Sequence, residues 1–240
     1  MYQSSTHSVG DIQTTMTSSK VVVGLDEAGV GACFASLWAS AVHLTGPPIP
    51  GLCDSKRMTE KTRERMRVEV LTRARYGMGE VTHTEIDTIG LGEARRVVFE
   101  RALDDFVSKY DIVPDHVIVD GSMYRPWRDV PYTLEPRADD TYACVSAASV
   151  LAKTTRDRQV IDICDAPDGE MYAQYDIRRN KGYLTKKHID TIRRLGRTPL
   201  HRHSYNIRSL TQSTVRVSQP SASAEEPSHS RPERGDVRDT

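Results

Sequence analysis

The sequence predicts an α/β domain in which a central β-sheet carries helices on its faces, and two observations point there. Short β-branched runs alternate along the chain with longer segments whose apolar residues recur at helical spacing, the signature of strands and helices packed in layers. Two of the strand-like runs, in "GLDEAG" and "IVDGS", also end alike, with acid and glycine at the place where α/β proteins set their ligand sites.

In chain order, residues 21–26 are a short β-branched run and 33–44 a second apolar segment of strand character. The stretch "MTEKTRERMRVEVLTRARYG" predicts a helix, with Thr59 as candidate N-cap, Gly77 as stop, and Met66, Val70 and Ala74 on one face. Residues 78–83 are a candidate third strand. From about 86 to 108, Ala94, Val98, Ala102 and Phe106 recur every four residues, which predicts one amphipathic helix. Residues 116–120, "HVIVD", are strand-like; 143 to about 163 predict a long helix and 185–195 a shorter one ended by Gly196.

The folded domain is expected at 20–210. Residues 1–19, rich in Ser and Thr, and 211–240, rich in Ser, Pro and charge, read as disordered tails, because neither could bury enough apolar surface to offset ordering. Hydrophobic content of 38% with 6% aromatic residues implies an aliphatic core. The four cysteines, Cys33, Cys53, Cys144 and Cys164, form no C-x-x-C pair and read as free thiols in a reducing cytoplasm. No apolar run is long enough to cross a membrane and no signal-peptide core precedes the domain, so a cytoplasmic protein is expected.

Formal net charge is +0, yet it is unevenly spread. Residues 178–208 hold ten Lys or Arg against one acid, Asp190, a formal +9 that marks a polyanion contact. The acids gather elsewhere. Asp26 and Glu27, Asp120, and the pair Asp139–Asp140 would repel prohibitively if brought together without positive charge. Hard divalent cations, Mg²⁺ or Mn²⁺, would supply it, and two such ions about 4 Å apart form the usual clamp for displacement at phosphorus. A strand-end Asp is also a common turn-former, so spacing alone leaves the convergence of these acids open.

The blocks "GLDEAGVG", "LCDSKRMTEKTRERM", "VIVDGS", "VSAASVLAKTTRDR" and "NKGYLTKKHIDTIRRLG" stand in the order and at the spacings of ribonuclease HII, and from about 21 to 205 the sequence resembles that family. The resemblance implies a ribonuclease H-like fold, a mixed central sheet flanked by helices with a C-terminal helical segment. It implies an endonuclease that cuts the ribonucleotide-containing strand of RNA/DNA hybrids, or 5′ to a ribonucleotide in duplex DNA, leaving 3′-hydroxyl and 5′-phosphate. It implies that Asp26, Glu27, Asp120 and Asp139 are metal-binding catalytic carboxylates, with Asp140 and Asp157 as alternatives for the fourth.

Substrate contacts are implied at Gly29, Val30 and Gly31, whose main chain would sense the 2′-hydroxyl, and at Tyr183, which would pack on a deoxyribose. Lys56, Ser146, Ser149, Lys153, Arg156 and Lys181 match positions near the nucleic-acid backbone. Val30 stands where the family usually has arginine, and the proline that normally follows the second glycine is missing, so the loop lacks that charge. His201 and His203 in "HRHSY" suit packing or phosphate contact better than a phosphoryl-transfer ion. "SLTQST" lacks the aromatic pair of a clamp-binding tail. A monomer is expected. Two other readings stay open: a hybrid-binding protein without cleavage, and a ribonuclease H-like nuclease on another nucleic acid.

Overall fold

The computed structural model describes residues 20–207 and residue 210. The two expected tails, at 1–19 and 211–240, lie outside the described residues, as does all of "SLTQST" but Leu210. The fold described here lies in a compact unit that closes at Ile207.

Five strands form one mixed sheet in the order β3-β2-β1-β4-β5. Strands β1 (Val22–Ala28), β2 (Leu37–Leu44) and β3 (Ala74–Val81) make an antiparallel meander, while β4 (His116–Asp120) runs parallel to β1 and β5 (Tyr132–Glu135) parallel to β4. The helices are α1 (Glu60–Arg73), α2 (His83–Ile89), α3 (Leu91–Tyr110), α4 (Ala138–Thr141), α5 (Ala143–Asp165), α6 (Ile177–Asn180) and α7 (Lys186–Leu195). Short 3-10 turns occupy Ser55–Arg57 and Gly169–Tyr175.

Side chains alternate across a strand, and that alternation sorts the core into two layers. Val23 and Leu25 of β1 and Val117 and Val119 of β4 pack with Val98, Phe99, Ala102, Leu103 and Phe106 of α3. On the other face Val42 packs with Met66 and Val70 of α1 and with Ala147, Ala148, Val150 and Leu151 of α5, while Ile118 meets Val145. Glycines let the helices approach the sheet closely. A Cβ at Gly77 would stand 2.1 Å from the Ala102 carbonyl oxygen, and one at Gly24 would stand 2.4 Å from the Cys144 carbonyl carbon.

The mixed sheet with flanking helices matches the expected architecture, with local corrections. The first strand runs through Asp26 and Glu27 to Ala28 rather than stopping at the first acid. The segment 33–44 is strand only from Leu37; before it, Ala32 and Phe34 bridge singly to Tyr183 and His201, so this stretch joins β1 to the C-terminal region. Helix α1 starts at the Thr59 cap but ends at Arg73, because Ala74 already pairs with Leu44; Gly77 is a strand residue under α3, not a helix stop. The third strand therefore covers Ala74–Val81 rather than 78–83. The single helix expected over 86–108 is two, broken at Gly90, whose φ of 79° ends α2 against the Ile86 carbonyl. Strand β5 and the turns around 169–180 carry too short an apolar period to be read from sequence.

Substituting Gly77→Ala should therefore drive a methyl into the α3 backbone and destabilise the fold by about 2–3 kcal/mol. Gly92→Ala, on α3 with nothing within 4 Å of the new Cβ, should stabilise it by about 0.5 kcal/mol. Urea midpoints with unchanged slopes check both.

Candidate metal centre and nucleic-acid cleft

Strand register brings the acids together. The last paired residues of β1 and β4 are Leu25 and Val119, both on the α3 face, so the next residues, Asp26 and Asp120, turn toward α5 on neighbouring strands. Asp139 comes from the one-turn helix α4. One carboxylate oxygen from each of Asp26, Asp120 and Asp139 lies within 4.8 Å of the others. Local hydrogen bonds fix the set: Asp120 Oδ1 accepts from the Ala138 amide at 2.9 Å, which ties β4 to α4, and Asp26 Oδ1 accepts from the Glu27 amide at 2.7 Å. Ser149 of α5 bonds Asp26, and its Oγ lies 2.8 Å from Ser55 Oγ, anchoring the turn that carries Lys56. Glu27, one residue on, points to the α3 side, where its Oε1 accepts from Arg95 Nη2 at 2.7 Å.

Burial and crowding govern the electrostatics. Asp26 is held well above the usual carboxylate range, first by burial and then by the charge of Glu27. Burial, and then Asp120, push Asp139 up to about 6. Burial also raises Glu27, against the opposing pull of Arg95. Lys56 loses solvation, but Asp26, Asp54, Asp139 and Asp120 overcome that loss and raise it. Among the described residues Asp139 Oδ2 is buried without a hydrogen-bond partner, although Asp139 is only 3% exposed. An orphaned carboxylate oxygen beside two further acids is the oxygen donor set that a hard cation takes.

These residues open onto a cleft of about 440 Å³ lined by Asp26, Glu27, Asp120, Lys56, Lys153 and Tyr183, and by the loop Gly29-Val30-Gly31. Two buried arginines shape that loop. Arg202 donates to the carbonyls of Gly29 at 2.7 Å, Ala35 at 2.8 Å and Ser36 at 2.9 Å; Arg156 donates to Phe34 O at 3.2 Å. Holding the Gly29 carbonyl inward turns the Val30 amide of the same peptide the other way, and among the described residues the Val30 and Gly31 amides have no hydrogen-bond acceptor. Gly29 is obligatory here: its φ is 106°, and a Cβ would lie 2.3 Å from Arg156 Nε. Tyr183 stands over the loop opposite Gly31, its ring 5.2 Å from Lys153 Nζ and 5.1 Å from the Arg156 guanidinium.

The remaining sequence candidates take more internal places. Ser146 Oγ donates to the Asp139 carbonyl and so holds α4 rather than facing the cleft. Arg156 is 0% exposed and lies beneath the loop. Lys181 donates to Arg178 O at 2.6 Å and lies 3.8 Å from Glu60. Asp140 is exposed and pairs with Arg57, while Asp157 pairs with Lys153 at 2.7 Å, away from the three acids. His201 and His203 do not converge. His201 is buried, its Nδ1 accepting from the Thr198 amide, so its Nε2 carries the proton it gives to His188 Nε2 at 3.0 Å. His188 in turn donates from Nδ1 to Tyr183 O, a satisfied relay beside Cys33 that needs no ion. Sequence reasoning passed over Arg202 and Arg95; "HRHSY" drew attention to its histidines, and the partner of Arg95 lies 68 residues away.

A family model described as Ribonuclease HII matches residues 23–208. The chain is 38% identical to the ribonuclease HII of Marinomonas sp. (strain MWYL1), a match covering 77% of this chain and 89% of the relative. It is 37% identical to that of Phocaeicola vulgatus, covering 78% and 90%. Among solved structures, it is similar to ribonuclease H2 from Pyrococcus horikoshii (TM-score 0.63, 24% identity, covering 80% of this chain and 95% of that one). It is also similar to Bst ribonuclease HIII in complex with Mn²⁺ (TM-score 0.56, 18% identity, covering 73% and 71%).

Because folded Asp139 keeps its proton to about pH 6 while an ordinary Asp releases it near 3.8, the folded metal-free chain binds more protons between those values. Its stability should therefore fall as pH rises through that window, by about 1–3 kcal/mol, and Asp139→Asn should flatten the slope. Urea titrations in chelator at pH 4.5 and 7 test this. Arg202→Met, which removes the guanidinium from three carbonyls and leaves only that of Gly29 with a second donor among the described residues, the Ala32 amide, should cost about 3 kcal/mol in the same assay.

Proposed function

Because the chain belongs to the ribonuclease HII family, we propose that Asp26, Glu27, Asp120 and Asp139 are its catalytic metal carboxylates. The protein is an endoribonuclease of the ribonuclease H type. The observation that carries the assignment is that Asp26, Asp120 and Asp139 bring one carboxylate oxygen each within 4.8 Å of the others, while Asp139 Oδ2 is buried without a hydrogen-bond partner. Two divalent cations, Mg²⁺ or Mn²⁺, held there would activate the attacking water and stabilise the departing 3′-oxygen.

The chain's own residues bind and orient the substrate. Ser149 and the Ala138 amide hold Asp26 and Asp120 in place, and Lys56 and Lys153 attract phosphate at the cleft's edge. The unpaired amides of Val30 and Gly31 meet the 2′-hydroxyl, the group that separates RNA from DNA, and the Tyr183 ring packs against the neighbouring deoxyribose. This arrangement works through main chain, so the loop does not need the arginine that Val30 replaces. Arg156 sets the loop from beneath, Ser146 sets α4, and Lys181 sets the turn before Tyr183. Along α7, Lys186, Lys187 and Arg194 line a groove of about 530 Å³ that would follow the duplex backbone by charge alone, blind to sequence. Substrates are RNA/DNA hybrids and DNA duplexes containing ribonucleotides, cut 5′ to the ribonucleotide. A cytoplasmic monomer fits the four free cysteines. No helix among the described residues is long and apolar enough to cross a membrane.

The test is cleavage of a labelled DNA duplex carrying one ribonucleotide, with Mg²⁺ or Mn²⁺. A cut 5′ to the ribonucleotide is expected. Asp120→Asn keeps an acceptor for the Ala138 amide and should lower the rate about 10³-fold, some 4 kcal/mol of barrier. Cutting of long hybrid alone would remove the loop's proposed role; cutting of all-DNA duplex would mean another substrate, and binding without cutting would overturn the reading.

A further inference from the structure

The carboxylate set is not symmetric. Asp26, Asp120 and Asp139 converge on one point, whereas Glu27 already has a cation. Arg95 rises from the N-terminal turns of α3, and its Nη2 meets Glu27 Oε1 at 2.7 Å with the two side chains 21% and 10% exposed. The same Nη2 lies 3.7 Å from the Cβ position of Gly121, the residue after Asp120, so the guanidinium spans the ends of β1 and β4. The acid of the centre that it contacts is Glu27. Its fit is incomplete: among the described residues Arg95 Nε is buried without a partner. Its contact with Glu27 is through Nη2, not the two-pronged pairing that guanidinium and carboxylate frequently make.

We propose that Arg95 is a resident counter-cation of the metal centre, one that holds Glu27 until a divalent ion displaces it. The inference rests on the assignment of Glu27 as a metal carboxylate made above. Two consequences follow from chemistry. A guanidinium cannot vacate by losing its proton, so it must move, and Glu27 is released only against a charge-assisted hydrogen bond. The position bounded by Asp26, Asp120 and Asp139 has no such competitor, its facing cation being Lys56, held by charge across the cleft rather than by a contact with one acid. The two ion positions are therefore unequal: one loads freely, and the one needing Glu27 loads against Arg95.

Metal-free full-length chain titrated with Mn²⁺, followed by calorimetry and by the electron paramagnetic resonance of free Mn²⁺, separates the outcomes. Wild type should take one ion tightly and a second at least about tenfold more weakly, the size of a partly buried charge pair. Arg95→Met should strengthen the second ion about tenfold and leave the first alone, while Arg95→Lys, which keeps the charge, should stay near wild type. Should Arg95→Met not fold, Arg95→Gln removes the charge while retaining a donor for Glu27 and carries the same expectation. Equal second-ion affinity in wild type and the neutral variants, with the first ion intact, would overturn the role of Arg95 and leave the centre standing. If Asp139→Asn fails to abolish the first ion, the carboxylate assignment falls, and this inference with it.

Discussion

Like charges held close in a low-dielectric pocket are the constraint around which this molecule is arranged. Burial raises Asp26 and Asp139, and the neighbouring charge of Asp120 raises both further. The sheet holds them regardless. Parallel pairing of β1 with β4 fixes the relative height of Asp26 and Asp120, and the close seat of α5 against Gly24 brings Ser149 to Asp26. The structure thus holds the three acids close, with Lys56 facing them across the cleft and Arg95 on Glu27 as the cations it supplies itself.

The second organising feature is a pair of buried guanidiniums beneath the glycine loop. Arg156 and Arg202 have little acidic company, Asp157 lying 3.8 Å from Arg156, and burial lowers both. Their partners are main-chain carbonyls instead. A carbonyl is a weaker counterpart than a carboxylate, but several of them tied to one fork define a backbone path more tightly than one ion pair could. The turn of the Gly29–Val30 peptide, oxygen inward and amide outward, follows from that choice and requires no side chain at Val30.

Much of this was legible in the sequence. The acid-glycine strand ends marked Asp26, Glu27 and Asp120, the sequence pattern located α1, α5 and α7, and Thr59 caps α1 as expected, while Thr185, read as the first helical residue, is the cap of α7. What stayed hidden shares one physical cause: it depends on partners distant in sequence. Gly77 looked like punctuation because local rules cannot see α3 lying on it. The break at Gly90 was masked by an apolar period that continues through it. Arg95 and Arg202 carry no local signature, since a guanidinium's role is set by whatever it reaches across the fold.

The stitch between Arg202 and Gly29 closes over 173 residues of chain. On a ribosome making about 5–20 residues per second, the loop emerges roughly ten to thirty-five seconds before the arginine that shapes it. Through that interval the early strands can pair while residues 29–36 have no fixed path, and the bridges from Ala32 and Phe34 to Tyr183 and His201 are equally out of reach. The cleft is thus a late product of vectorial synthesis: a nascent chain carries its first acids long before the walls around them are in place.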